Sequence, residues 1–331
     1  MSTQRDSSAR DDGGGKTRRR RRVLLVAAAV VAAVVVAGVV GVALWKSHSL
    51  GQRHAIEEWA QWRGVELHDP EGRDHAMHIA AADGEIFTLE WLIEQGADVN
   101  ARNAVGETPL FAATMQGEFA AMRWLKAHGA DVNIRNNYGE TPLVWAARQN
   151  NFDIHMWTWL IEQGLDVNDR NEDGRTPMFE AVRWGQIATM AYLKSQGADI
   201  DARDHDGWTP LFMAAWQGES GAMKWLKAQG ADINVRDHQG RTLLFPAVQS
   251  YWGKVEAMVW LKEQGLDVNA RDDNGETPMF AAASGGRVEA MSWLEEQGAD
   301  VNARNHDGRT PLSVANQEEA AEWLRDNGAT E

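Results

Sequence analysis

The densest set of oxygen donors in this chain is Asp169-x-Asn171-x-Asp173-Gly174, followed by Glu180. A calcium loop of the EF-hand type needs oxygen ligands at alternating positions, a glycine at the sharp turn and a closing carboxylate. Asp169, Asn171, Asp173 and Glu180 meet that spacing. The context does not, because Pro177 stands in the back half of the loop and no long helices are patterned around it. His75 and His78 could face a metal, but two histidines without a third ligand make a poor site. The chain has no Cys, which excludes thiolate nucleophiles, disulfides and Cys-ligated zinc. It also has no Gly-rich phosphate loop, no Gly-x-Ser-x-Gly elbow and no zinc-protease helix. Carboxylates are plentiful, yet they fall in turns and on polar helix faces, with no pair set apart for acid–base work. The residue types therefore point away from catalysis, metals and cofactors and toward recognition by large side chains.

Those side chains recur on a fixed period. Trp59, Trp91, Trp124, Trp159, Tyr192, Trp225, Trp260, Trp293 and Trp323 stand 32, 33, 35, 33, 33, 35, 33 and 30 residues apart. A period near 33 means stacked supersecondary units. In one of them, Thr108 is placed to cap a helix through its hydroxyl, with Pro109 at the first helical position, where its missing N–H is not needed. Leu110, Ala113 and Thr114 continue a short inner helix, and Gly117 breaks it. Phe119 to His128 form a second helix with Met122, Trp124 and Leu125 near one stripe. Gly129 suits the left-handed residue that follows a helix end. Ala130-Asp131-Val132-Asn133 then leads to a tight turn, where Asn136 and Asn137 tolerate unusual backbone angles. One such helix pair cannot enclose a core, so the units must stack. A buried indole removes about 150–250 Å² from water, so the tryptophan column is expected to be the main cement.

These runs resemble the ankyrin repeat, whose hallmark is Thr-Pro-Leu-His, a following Ala-Ala and a Gly-Ala-Asp-Val-Asn exit. The resemblance covers roughly 52–331 and implies an all-α solenoid of helix–turn–helix repeats with β-turn tips. The histidine of that hallmark is Phe111, Phe179, Phe212, Phe245 and Phe280 here, Val144 or Ser313 elsewhere, and is kept only as His78. The inter-repeat hydrogen bonds of that histidine are thus expected to give way to apolar packing. The resemblance further implies a protein partner, bound by the turn tips and the inner-helix surface. Matching positions include Met115, Arg148, Trp184 and Trp216, with tips at Tyr138, Asp173, His205, Trp208 and His238. Trp184, Trp208 and Trp216 fall in adjacent units, and Trp and Arg often dominate binding energy. The expected site is a concave patch centred on the third to sixth units.

The third and sixth units break the pattern. Each carries two extra residues between its helices, near 149–152 and 249–252. In the sixth, Leu243 replaces the helix-opening proline and Pro246 follows three residues later, where it should remove a backbone bond. Tyr251 and Trp252 sit in the enlarged loop and join the candidate binding residues, since loops carry function more often than cores do.

Charge separates the amino end from the rest. Residues 1–22 hold eight Lys/Arg against three Asp, a surplus of five, so the remainder stands at −20 within a whole-chain charge of −15. An acidic repeat domain argues against a nucleic-acid surface and suits a basic partner. The Ser-, Gly- and Arg-rich tail 1–22 has almost no apolar residues, only Met1 and Ala9, and is expected to be disordered. The uncharged run 23–45 is long enough, as a helix, for a hydrocarbon core of about 30 Å. Arg18 to Arg22 precede it, which keeps that end cytoplasmic and sends the repeats across the membrane, in a bacterial-type envelope into the periplasm. A cleaved signal peptide is the competing reading, with Gly41-Val42-Ala43 as its cleavage site. Residues 46–74 read as a join and a capping half-repeat, and 75–331 as eight repeats, the last a polar cap with Glu318, Glu319, Glu322, Arg325 and Asp326 facing water. The function expected is a membrane-tethered scaffold or adaptor that binds a protein outside the cytoplasm. The alternatives are an immunity-type inhibitor of a secreted toxin and a calcium-dependent binding module.

Overall fold

A computed structural model describes residues 54–148, 153–250 and 255–330. The basic tail, the apolar run 23–45, the extra residues 149–152, and Tyr251 and Trp252 lie outside the described residues. Among the described residues no helix is long and apolar enough to cross a membrane. The described residues fall into two compact units, one within 1–67 and one within 68–331. In the first, helix α1 (54–63) buries Ile56 and Ala60 and leaves Trp62 exposed beneath the Arg63 guanidinium.

The second unit is a stack of helix pairs, and no strand occurs among the described residues. In chain order the pairs are α2 (Pro70–Asp83) with α3 (Ile86–Glu94), α4 (Pro109–Gln116) with α5 (Phe119–Ala127), and α6 (Pro142–Ala146) with α7 (Ile154–Glu162). Next come α8 (Pro177–Arg183) with α9 (Ile187–Ser195), α10 (Pro210–Gln217) with α11 (Ser220–Ala228), and α12 (Leu244–Gln249) with α13 (Val255–Glu263). The last two are α14 (Pro278–Ser284) with α15 (Val288–Glu296) and α16 (Pro311–Val314) with α17 (Glu318–Asp326). First helices pack on first helices and second on second, giving an inner and an outer column. Residues 70–74, expected within the join, are already helical. The Asp69 side chain accepts the Gly72 N–H at 2.6 Å, and Pro70 takes the first helical position.

Proline starts the helices as expected, but the threonine before it does not cap them. Thr108, Thr141, Thr176, Thr209 and Thr277 are extended at the N-cap position with no side-chain cap bond. Their hydroxyls, and that of Thr242, are buried without a partner. Where a polar residue fills the hallmark position, nearby groups are paired. Ser313 Oγ accepts the Thr310 N–H at 3.1 Å, and His78 Nε2 bonds the Glu107 carbonyl of the next unit at 3.0 Å. Phenylalanine offers neither contact. Pro246 is harmless for a positional reason. It is the third residue of α12, inside the first turn, and the Thr242 carbonyl takes the Phe245 N–H at 3.1 Å instead.

The core also differs from the expected column of indoles. Most of those rings are only half-buried, although Trp260 and Trp293 are enclosed. From Trp91 on, the leucine after each ring, from Leu92, Leu125 and Leu160 through Leu294 and Leu324, is fully buried. So are Phe111, Phe179, Phe212 and Phe280 on the inner helices, and Trp157 outside the column. Neighbours along a helix lie about 100° apart, so leucine points into the layer while the indole lies in the groove between outer helices. The half-buried ring gains only part of the area a core ring would gain.

Candidate protein-binding face

The turn tips are rigid through repeated side-chain geometry. Asn103, Asn136, Asn171, Asp204, Asp237, Asp272 and Asn305 each accept, through Oδ1, the N–H groups two and four residues later. The left-handed angle falls on the glycine, with φ of 79° at Gly207, where a Cβ would come within 2.8 Å of the His238 backbone nitrogen. Each tip bonds the next, as in His205 N–H to the Asp173 carbonyl at 2.9 Å and His238 N–H to Asp206 at 3.0 Å. An arginine ladder runs alongside. Arg135, Arg170, Arg203, Arg236 and Arg271 each donate to the glycine carbonyl of their own tip and to the backbone carbonyl of the next arginine.

On this frame two of the candidate residues meet. Trp208 on the tip and Trp216 at the end of α10 stand edge to face, with centroids 6.0 Å apart at 68°, and Phe212 lies 5.9 Å from Trp208. The Trp208 indole N–H reaches Asp237 Oδ2 of the next tip at 3.3 Å, and the same oxygen accepts Arg241 Nε at 2.7 Å. Trp216 remains exposed. Among the described residues of the repeat stack, Trp184 is the most exposed tryptophan, at 59%. It caps α8 and carries the Arg183 guanidinium 5.8 Å above its ring, apart from the Trp208–Trp216 pair. Its position is one residue later on the helix than Trp216, so it leaves the surface in a different direction. Met115 is half-buried at the end of α4. Tyr251 and Trp252 lie outside the described residues. A cleft of about 190 Å³ is lined by Ala247, Val248, Ser250, Met258, Arg287 and Val288.

Arg148 is committed to an internal network. Its Nε donates to Glu180 Oε2 at 3.0 Å, its Nη2 to Glu140 Oε1, and its guanidinium lies 4.6 Å from the Trp145 ring centre. Asn136 Nδ2 donates to Glu140 Oε2 at 2.9 Å. Both glutamates are buried. Burial acts to lower the Arg148 pKa, but the Glu180 hydrogen bond and the charges of Glu180 and Glu140 outweigh it and hold the guanidinium above its ordinary value. The arrangement explains why an inner helix tolerates Glu180, since the carboxylate is paired across the joint between two units.

The calcium-like spacing does not converge on one point. Asp169 pairs with Arg135, Asn171 Oδ1 holds its own turn, Asp173 faces Arg175 at 3.4 Å, and Glu180 binds Arg148. Among the described residues no three His, Asp or Glu side chains stand together for a metal. His78 is used in packing, bonded to the Asp74 and Glu107 carbonyls. Sequence reasoning missed Glu140 and the arginine ladder. The ladder's signal was available in the Arg that recurs two residues after the Asn or Asp ending each exit run.

With this geometry in view, the family model described as ankyrin repeats (3 copies) matches residues 77–168, 129–204, 154–237, 197–272 and 244–330. A search of curated proteins finds no match to the chain.

Proposed function

From the premise that this chain belongs to the ankyrin-repeat family, whose members generally serve as non-enzymatic protein-binding modules, we propose that it grips a protein partner through the tips and inner helices of units 3–6. The observation that carries this reading is the Trp208–Trp216 pair. Its inner ring is fixed by Phe212 and Asp237, and its outer ring is left in solvent. A pre-ordered exposed aromatic loses little entropy on binding and offers a large contact area. The acidic charge of the domain favours a partner with a basic surface. The partner is met outside the cytoplasm, with 23–45 as the tether. A photoreactive residue at Trp216 or Trp184 should crosslink one protein, while the same residue at Lys224 or Glu322 on the outer helices should not. The reverse pattern would put the binding face on the wrong side.

The strong negative charge also favours a second reading, an immunity-type inhibitor of a basic secreted toxin. A crosslinked partner with an activity that this protein abolishes selects inhibition; several partners with no activity lost select a scaffold. The tether is tested separately by labelling Asp273→Cys, the chain's sole cysteine. Labelling that requires a permeabilised inner membrane overturns translocation.

A further inference from the structure

The units are not joined equally. Each exit run ends in Asn or Asp, and in most units that residue clasps the next exit loop. Asn100 Nδ2 donates to the Gly129 carbonyl at 3.1 Å, and its Oδ1 accepts the Asp131 N–H at 2.9 Å. Asn168, Asn269 and Asn302 repeat this double bond to units 4, 7 and 8. Asp201 keeps only the accepting half, to the Asp232 N–H at 3.3 Å. Among the described residues Asn133 and Asn234 make neither bond, although Gly164, Asp166, Gly265 and Asp267 are all described. The clasp is therefore missing at the joints between units 2 and 3 and between units 5 and 6.

Two further features fall at the same places. The exit alanine becomes Leu165 and Leu266 in units 3 and 6 alone, the units with two extra residues between their helices. Both leucines are buried where the other units bury a methyl group. The backbone bond that closes the outer helix lengthens with them, to 3.4 Å at Leu165 and 3.3 Å at Leu266, against 2.9 Å at Ala130, Ala198 and Ala299. A larger side chain at the exit lifts the loop away from the clasping asparagine. The tips still hold across these joints, through Asn137 N–H to the Val105 carbonyl at 2.9 Å and His238 N–H to Asp206 at 3.0 Å. Each joint is thus fastened at the tip and unfastened at the exit loop. Between the outer helices run Phe119 to Trp159 at the first joint and, at the second, Ser220 Oγ and Lys224 Nζ to Glu256 Oε1 at 2.9 and 3.1 Å; exposed ties of this kind hold weakly, which leaves the geometry of a hinge.

We propose that the solenoid articulates at these two joints, so that units 3–5 form a central block carrying Trp184, Trp208 and Trp216 while the flanking arms re-angle about the tips. The hinge goes beyond the binding proposal and holds whatever the partner is. Absence of native Cys allows clean spin labelling of the full-length chain at exposed outer-helix ends. Pairs Glu94→Cys/Glu162→Cys and Ser195→Cys/Glu263→Cys each cross one unclasped joint; Glu263→Cys/Asp326→Cys crosses two clasped joints. The first two distance distributions should be about twice as wide as the third, as expected for domain-scale hinge motion. Asn302→Ala should widen the third, and Asn133→Ala should leave the first unchanged. Equal widths, a control that Asn302→Ala leaves narrow, or widening by Asn133→Ala would each overturn the hinge. Loss of partner binding in the Trp216 variant with these widths intact would locate a failure in the binding proposal and not here.

Discussion

The joint between units 3 and 4 and the joint between units 2 and 3 share the tip backbone bond and the arginine ladder and differ in their other ties. Across the first run the Asn168 clasp, the Arg148–Glu180 pair, Arg135 to Asp169, and the Thr158–Tyr192 hydroxyl bond at 2.9 Å. Across the second are the tip bonds of Asn137, the Arg102 Nη2 bond to the Arg135 carbonyl at 2.8 Å and the Phe119–Trp159 ring contact at 6.0 Å. The period alone therefore does not set how strongly neighbours hold one another. A solenoid's stability is close to a sum of unit and interface terms, so a few substituted residues can concentrate cohesion at one interface and withhold it at the next.

The sharpest break of this contrast is Arg148→Ala. It would leave Glu140 and Glu180 buried without their common cation, and removing one partner of a buried ion pair typically costs about 3–5 kcal/mol. Urea denaturation should show the central units melting first, with the midpoint moved well down. Because the Arg148 pKa is raised, its contribution is complete at every pH below the free guanidinium's value and fades only in strong alkali. Across neutral pH the loss should therefore stay constant.

Asparagine substitutions sharpen the same contrast at smaller scale. Asn168→Ala removes two hydrogen bonds at the tight joint, each worth about 0.5–1.5 kcal/mol net. Asn133→Ala, at the equivalent position of the loose joint, removes none to the next unit and should leave the midpoint nearly unmoved. Amide exchange at Asp199 should quicken about tenfold in the first variant, in line with one to two lost bonds. Exchange at Asp166 should not respond to the second. Equal effects would mean that the clasp has no special role.

Much of this contrast was visible in the residues once the period was known. Repeat boundaries, the proline starts and the glycine ends follow from local backbone chemistry, which acts within a few residues. The unequal joints do not, because they depend on which side chains meet across 29 to 40 positions. Glu140 illustrates the limit. Its place after a turn glycine suggests a solvated carboxylate, yet an arginine eight residues later draws it into a buried network. Trp184 and Trp216 illustrate another, since one residue of helical offset turns two rings in different directions. The cement of the stack was misjudged for the same reason: ring size identified the tryptophans, while burial fell to leucine and phenylalanine.

A gain in stability is expected where the hydroxyls lie buried and unpaired. Thr176→Val keeps the β-branched shape and removes a polar atom that has no partner. Leaving such a group unpaired costs about 1–3 kcal/mol, so part of that, roughly 1 kcal/mol, should return. The same change at Thr310 should not help, because Thr310 Oγ1 donates to the Thr330 carbonyl at 3.3 Å. A higher urea midpoint for the first variant and not for the second is the readout.

The smallest effect concerns the half-made clasp between units 4 and 5. Burial first, and then the Asp199 and Asp232 carboxylates, hold the Asp201 carboxyl above its ordinary value, against the Asp232 N–H that it accepts. The unfolded chain loses this proton at a lower pH than the folded chain does. Between the two values the folded chain binds the extra proton, so this residue's contribution falls as pH rises. Above both, the deficit is constant. Asp201→Asn removes the charge and supplies the donor that Asn168 and Asn269 use toward the glycine carbonyl of the next unit. The variant should match the wild type near pH 3 and exceed it at neutral pH by about 0.5–1 kcal/mol, a small value because the site is partly open to solvent. Urea midpoints of both chains across that range decide it. An advantage that is equal at both ends would assign the gain to the new hydrogen bond alone. An advantage that grows with pH would assign it also to relief of three carboxylates crowded at one joint, which would make Asp201 a natural weak point inside the central block.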